Sequence, residues 1–247
     1  MNILHISASP RGPHAASREL SNHVVERLLA RHPGALVTVR ELAGVGDQAA
    51  LPHIDAGYAL ALSSAANEPG VDGAQLRSDG LIEELVRADI VVIGTPMHNL
   101  TVPSTLKSWI DHVVRINRTM RPTPEGKVGN LPDRPVYLAL ASGGWRTGER
   151  ARQPDFLEPY LRAILAMIGL KDVTVFSAEG LALGAERAAE GRARLAPGGT
   201  PFRRLIGVVC CVDKIATENC IFCDLLFRHV GPRLCCGAKN VAYRASN

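Results

Sequence analysis

The sequence predicts an α/β fold: a doubly wound five-stranded parallel sheet in the order 2-1-3-4-5, with helices on both faces and an atypical C-terminal tail. Three observations lead there. Five short runs rich in Ile, Val and Leu recur, at residues 2–7, 36–41, 89–94, 135–141 and 173–177. Most are apolar nearly throughout rather than at alternate positions, as strands covered on both faces require. Apolar residues at helical spacing lie between them, and right-handed crossovers then give the strand order.

Taken in order, NILHIS forms the first strand, and Leu20, Val24, Leu28 with Val25 and Leu29 mark a helix over 15–31. LVTVRE is the second strand. Leu81, Ile82, Leu85 and Val86 mark the helix that precedes the third, DIVVIG. Pro103 stands where a first-turn proline is tolerated, and Leu106, Ile110, Val113 and Val114 follow with the helical period. After PVYLALA, Leu157, Leu161, Ile164, Leu165 and Ile168 make a helix that Gly169 ends. VTVFS is the fifth strand, and Ala185 to Leu195 reads as a last helix. Two long connections interrupt the alternation: 44–78, rich in Ala, Gly, Ser and Pro, and 118–134, which is polar and loop-like. Loops of this length are often lids or interfaces.

Composition divides the chain near residue 199. Residues 1–199 carry 21 basic and 21 acidic side chains, whereas residues 200–247 carry seven basic and three acidic ones, so the net charge of +4 belongs to the tail. A folded body without a basic face argues against nucleic acid as a partner. No run approaches the ~18 apolar residues of a membrane helix. The N-terminus does not read as a signal peptide, so the expected compartment is the cytoplasm. All six cysteines (210, 211, 220, 223, 235 and 236) lie in the tail. A cysteine-free body agrees with a reducing compartment.

In this topology ligands bind beyond the carboxyl ends of the strands, beside the switch between the first and third. That rule selects three loops. In the first, Ala8 to Ser17, a helix N-terminus offers unpaired N–H groups and partial positive charge, with Ser9 and Ser17 as further donors. No G-x-G-x-x-G or P-loop lysine is present, which suits a single phosphate monoester. The same spacing equally suits Ser17 as a helix N-cap and Ser9 as a turn residue. In the second loop, Thr95 to Pro103, flanking prolines limit the backbone, so its N–H and C=O groups can face the edge of a flat ring with Met97 on its face. Alone, these residues favour Met97 as core and His98 as surface or cap. In the third, Ser142 to Gly148, paired glycines allow close approach to a ligand, or simply a tight turn. The loops coincide at one sheet edge. No nucleophile elbow and no H-E-x-x-H is present, and the eight histidines lack ligand spacing, so no metal site is expected in the body. Most histidines read as surface residues and His5 as core; Trp109 and Lys107 suggest core or interface packing.

The run from Pro96 to Asp111, PMHNLTVPSTLKSWID, resembles the FMN-dependent NADH-azoreductase and quinone reductase family, of flavodoxin-like fold. Ser142-Gly143-Gly144 and the stretch from Pro159 to Gly184 extend the likeness over roughly residues 1–195. The resemblance implies a homodimer with one FMN per subunit near the interface. NADH or NADPH would reduce the flavin, which would pass two electrons to a quinone or azo acceptor in ping-pong fashion. Carried over by position, Ser9, Ala15, Ala16 and Ser17 hold the phosphate. Pro96, Met97, His98, Asn99 and Leu100 line the isoalloxazine ring, and Ser142, Gly143 and Gly144 approach it from the other loop. Three residues depart from the pattern: Ala15 where a serine is common, His98 where an aromatic is common, and Met120 where relatives often carry a phenylalanine over the active site. No acid–base residue is assigned, since the hydride chemistry belongs to the cofactor.

Two other readings stand beside this one. A flavodoxin-type electron carrier would bind FMN without turning over a small substrate, though such carriers are usually strongly acidic and this body is neutral. A flavoprotein scaffold without efficient turnover would suit the three departures. The tail, 200–247, does not share the resemblance. Its C-C, C-I-F-C and C-C spacings permit zinc in principle but match no common module, and it reads as an appended, poorly packed segment.

Overall fold

The computed structural model describes residues 1–44, 49–58, 73–184, 186 and 189. Its elements are β1 (Asn2–Ser7), α1 (Ala16–Arg31), β2 (Leu36–Glu41), α2 (Gly73–Arg87), β3 (Ile90–Pro96) and α3 (Ser104–Val113). There follow β4 (Met120–Thr123), β5 (Gly126–Gly129), β6 (Val136–Ala141), α4 (Leu157–Ile168) and β7 (Val173–Ala178). The main sheet is wholly parallel in the order β2-β1-β3-β6-β7, which is 2-1-3-4-5 when its own strands are counted. The predicted doubly wound sheet is therefore the one observed. The helix expected from Ala185 to Leu195 and the tail from residue 200 lie outside the described residues, apart from Glu186 and Ala189.

Alternation along the buried strands assigns the two faces. Leu4 and Ile6, Val91 and Ile93, and Val136, Leu138 and Leu140 share one core with α2, α3 and α4, through Leu85, Trp109, Leu161 and their neighbours. The intervening residues meet α1. Gly94 lies so close to this helix that a Cβ there would stand 2.9 Å from the Ser17 carbonyl, and His5 Nε2 bonds Ser21 Oγ at 2.8 Å. Burial first, and Arg18 second, hold His5 neutral by lowering its pKa to about 4.

Four expectations are corrected. β2 is not covered on both faces: it is an edge strand with Leu36 70% exposed. The segment 118–134 is not simply a loop but carries the antiparallel hairpin β4–β5. MRPT and GKVG lack the β-branched enrichment that announces strands, and the hairpin is fixed instead by backbone contact. Asn130 N–H donates to Thr119 O and Leu131 N–H to Ile168 O. The helix α2 begins at Gly73, inside the connection assigned to 44–78, and Val86 points outward. His112 is fully buried rather than at the surface. Its Nε2 lies 3.2 Å from Pro52 O, and its own carbonyl accepts from Ser78 Oγ at 2.6 Å.

Gly169 ends α4 as the sequence predicts, in the left-handed region at φ 111°. None of the described helices is long and apolar enough to cross a membrane.

Candidate functional site

Because β1, β3 and β6 are adjacent and parallel, the loops after them emerge side by side. The first two are joined by Ala8 N–H donating to Gly94 O at 3.0 Å and by Thr105 Oγ1 donating to Ala8 O at 3.0 Å. The second and third are joined by Met97 N–H donating to Ala141 O at 2.7 Å and by Gln153 Nε2 donating to Met97 Sδ at 3.1 Å.

In the first loop a short 3₁₀ turn, Gly12–His14, precedes α1, and Ala15 is the N-cap residue. Ser17 is thus not the N-cap but the second residue of the helix. It is 1% exposed, and its Oγ has no hydrogen-bond partner. Among the described residues nothing accepts from the Ala16 or Ser17 amides, whereas Ala15 N–H already donates to Gly12 O. A buried hydroxyl without a partner costs roughly 1–3 kcal/mol. Beside two unpaired N–H groups at a helix N-terminus, it presents the donor set of an anion site. Ser9 is buried and makes the turn: its Oγ accepts from Arg11 N–H at 3.3 Å, which leaves its proton to donate. Arg18 is paired with Glu41 at 2.5 Å.

The second loop is a two-residue hairpin turn. His98 N–H donates to Thr101 O at 2.9 Å and Thr101 N–H to His98 O at 3.0 Å. Asn99 and Leu100 occupy the left-handed region at φ 47° and 72°. For a leucine this conformation costs on the order of 1–2 kcal/mol, strain of the kind found at binding loops. The rigidity therefore comes from paired hydrogen bonds more than from the flanking prolines. Pro96 is half-buried at the end of β3, and His98 and Asn99 are exposed. Met97 is half-buried and packs on the core. Among the described residues the amides of Asn99 and Leu100 make no backbone bond, while Leu100 O accepts from Phe156 N–H at 3.1 Å.

In the third loop, Ser142 is buried and its Oγ donates to Gly144 O at 2.7 Å, so its hydroxyl shapes the turn. Gly144 admits the Gln153 side chain, since a Cβ there would lie 2.6 Å from Gln153 Oε1. Gly143 is exposed. The loop is anchored by Arg146, whose buried guanidinium pairs with Asp155, Glu158 at 3.2 Å and Glu179 at 3.6 Å. Glu179 also accepts from Arg146 N–H at 2.8 Å and from Thr147 Oγ1 at 2.8 Å. Outside this loop opens a cleft of about 1020 Å³, bordered by Gly144, Trp145, Arg150, Arg152, Gln153 and Leu183.

Sequence reasoning missed Gln153, Arg146 and Glu179. Nothing local marks a glutamine that reaches back to Met97 across 56 residues, or a buried arginine whose carboxylate partners lie 9, 12 and 33 residues away. Met120 is buried at the start of β4. Among the described residues no cluster of His, Cys, Asp or Glu is placed to hold a metal.

Comparison with known proteins places these loops in a family. The sequence model described as flavodoxin-like fold matches residues 1–196. An FMN-dependent NADH:quinone oxidoreductase of Burkholderia lata is 47% identical over 181 residues, spanning 73% of this chain and 86% of that protein. A second protein of that name, from Pseudomonas fluorescens, is 46% identical over 187 residues, spanning 75% and 87%. The crystal structure of azoreductase AzrA superposes with a TM-score of 0.68 at 24% identity, over 79% of this chain and 95% of that one, which shows the shared fold. On the family match and on these identities along most of both chains, the chain belongs to the flavodoxin-like family and, within it, to the FMN-dependent NADH:quinone oxidoreductases.

Proposed function

We propose that the chain passes two electrons from NADH or NADPH, through bound FMN, to quinones and aromatic azo compounds. The observation that carries this is the 47% identity to an FMN-dependent NADH:quinone oxidoreductase along most of both chains. The buried, unpartnered Ser17 Oγ and the unpaired Ala16 and Ser17 amides fit the FMN phosphate. Bound FMN supplies the hydride chemistry, and the protein supplies position and exclusion of water.

Ser17 and the amides of Ala16 and Ser17 hold the phosphate, with the Ser9 hydroxyl beside them. Ala15 shapes the entry to the helix but gives neither hydroxyl nor amide, because its N–H is engaged by Gly12 O. Pro96, Met97, His98, Asn99 and Leu100 border the isoalloxazine ring. The Asn99 and Leu100 amides would be available to its polar groups, and Met97, steadied by Gln153, would help to exclude water. Ser142, Gly143 and Gly144 close the other side. The site so described needs no protein acid or base.

We assign the assembly as a homodimer with one FMN per subunit near the interface, located in the cytoplasm. In support, Phe156 is 60% exposed and bonded to the Leu100 turn, a position that a partner subunit would cover. The tail, 200–247, is assigned as an appendage to a reductase domain of residues 1–199.

Anaerobic addition of NADH to FMN-loaded protein is expected to bleach the flavin absorbance, and subsequent quinone to restore it. Unchanged absorbance on adding NADH would sink the reductase reading. Bleaching without steady-state quinone turnover would mark an electron carrier instead.

A further inference from the structure

Four buried side-chain polar atoms without a hydrogen bond among the described residues gather at one corner of the sheet: Ser7 Oγ, Ser17 Oγ, Arg18 Nη1 and Glu41 Oε1. Strand register brings them together. Ser7, the last residue of β1, pairs with Glu41 of β2 on one side and with Gly94 of β3 on the other. Paired residues of neighbouring strands share a face. Here it is the α1 face, since a Cβ on Gly94 would stand 2.9 Å from the Ser17 carbonyl. Ser7 is 1% exposed, so its hydroxyl lies under the first turns of α1, beside the residues assigned to the FMN phosphate.

The corner holds one ion pair, and it is unevenly made. Arg18 Nη2 stands 2.5 Å from Glu41 Oε1, yet that oxygen takes part in no hydrogen bond, so the approach is close but out of line. Arg18 Nη1 is buried without an acceptor. The guanidinium is turned inward: its side chain is only 20% exposed. Its charge reaches His5 on β1, where it is second to burial in keeping the imidazole neutral.

Position gives this arginine a use. It follows Ser17 in the first turn of α1, where the helix dipole disfavours a cation unless an anion stands close. A phosphate monoester carries roughly 1.5–2 negative charges at neutral pH. The donors assigned to it above, two amides and the Ser9 and Ser17 hydroxyls, are all neutral. Arg11 is the other arginine of the loop, but it is exposed, where water and salt screen its charge.

We propose that Arg18 supplies the positive charge of the phosphate subsite, and that the FMN phosphate competes with Glu41 for its guanidinium. The proposal rests on the phosphate reading of the first loop. It makes Arg18 a binding residue and Glu41 a brake on cofactor affinity. Removing the two partners of one ion pair then has opposite effects on FMN. A pair that merely tied α1 to β2 would lose the same tether whichever partner was removed.

The test titrates FMN and riboflavin into flavin-free, full-length protein and reads the ratio of the two affinities. Riboflavin lacks only the phosphate, so damage to the fold or to the ring site lowers both affinities and leaves the ratio unchanged. Arg18→Gln is expected to lower the ratio about tenfold, the size of one lost charge-assisted contact. Arg18→Lys should lower it less, because the charge remains. Glu41→Gln is expected to raise the ratio about threefold, since the phosphate then meets no competitor. Arg11→Gln is the reference for removing a charge from the exposed part of the loop. An Arg18→Gln ratio no lower than that of Arg11→Gln overturns the proposal, and so does a Glu41→Gln ratio at or below that of the unaltered protein. Should either single variant fail to fold, Arg18→Gln/Glu41→Gln decides, because it keeps the net charge and buries no lone ion. A ratio more than twofold down in that variant supports the role of Arg18, and one within twofold overturns it. An unaltered protein that binds riboflavin as tightly as FMN would instead sink the phosphate reading itself, and this proposal with it.

Discussion

Ser17 shows how a single hydroxyl can be costly for folding and useful for binding. Its Oγ is buried without a partner in the described structure, so it weakens the flavin-free protein. A phosphate oxygen would convert the same atom into one end of a charge-assisted hydrogen bond. Ser17→Ala is therefore expected to leave the flavin-free protein equally stable or up to about 1 kcal/mol more stable, and to weaken FMN about tenfold. Denaturation of the stripped protein and an FMN titration measure the two effects. A variant that loses stability without FMN while binding it normally would remove Ser17 from the phosphate site. Ala15 offers no such exchange, because its methyl group cannot donate and its amide is already bonded.

At the scale of elements, backbone contacts explain what periodicity could not show. The strands β1, β3 and β6 were legible because burial on both faces writes itself as continuous apolar sequence, and α4 because Gly169 marks its end. The β4–β5 hairpin was not, because it is held by two glycines whose partners are distant in sequence. A Cβ at Gly129 would stand 2.1 Å from Gly169 N, and one at Gly169 would stand 2.2 Å from Leu131 O. The same holds for the loops. Their place at one sheet edge followed from topology, whereas the Arg146 ion-pair hub and the Gln153–Met97 contact depend on long-range packing. Gly169→Ala is expected to lose roughly 2–4 kcal/mol, since a left-handed backbone and a backbone clash act together. Gly126 also has positive φ, at 130°, but nothing lies near its Cβ position, so Gly126→Ala isolates the conformational part. Equal shifts of the two denaturation midpoints would show that the contact with Leu131 contributes nothing.

For the whole molecule the seam lies in composition and in family membership together. Residues 1–199 balance 21 basic against 21 acidic side chains, and the flavodoxin-like match runs from residue 1 to 196. The seven basic residues, three acidic residues and six cysteines after residue 199 belong to neither pattern. Every residue of the three loops assigned to the flavin falls before the seam. Ending the chain at residue 199 is thus expected to leave FMN affinity within twofold of the full chain. The net charge should fall from +4 to zero, because the excess lies wholly in the removed segment. Flavin content after purification, FMN titration and the thermal midpoint measure the first point, and retention on a cation-exchange column the second. A shortened chain that folds, with an unchanged midpoint, yet loses FMN would place part of the cofactor site in residues 200–247. A chain that no longer folds would make those residues part of the domain instead of an appendage to it.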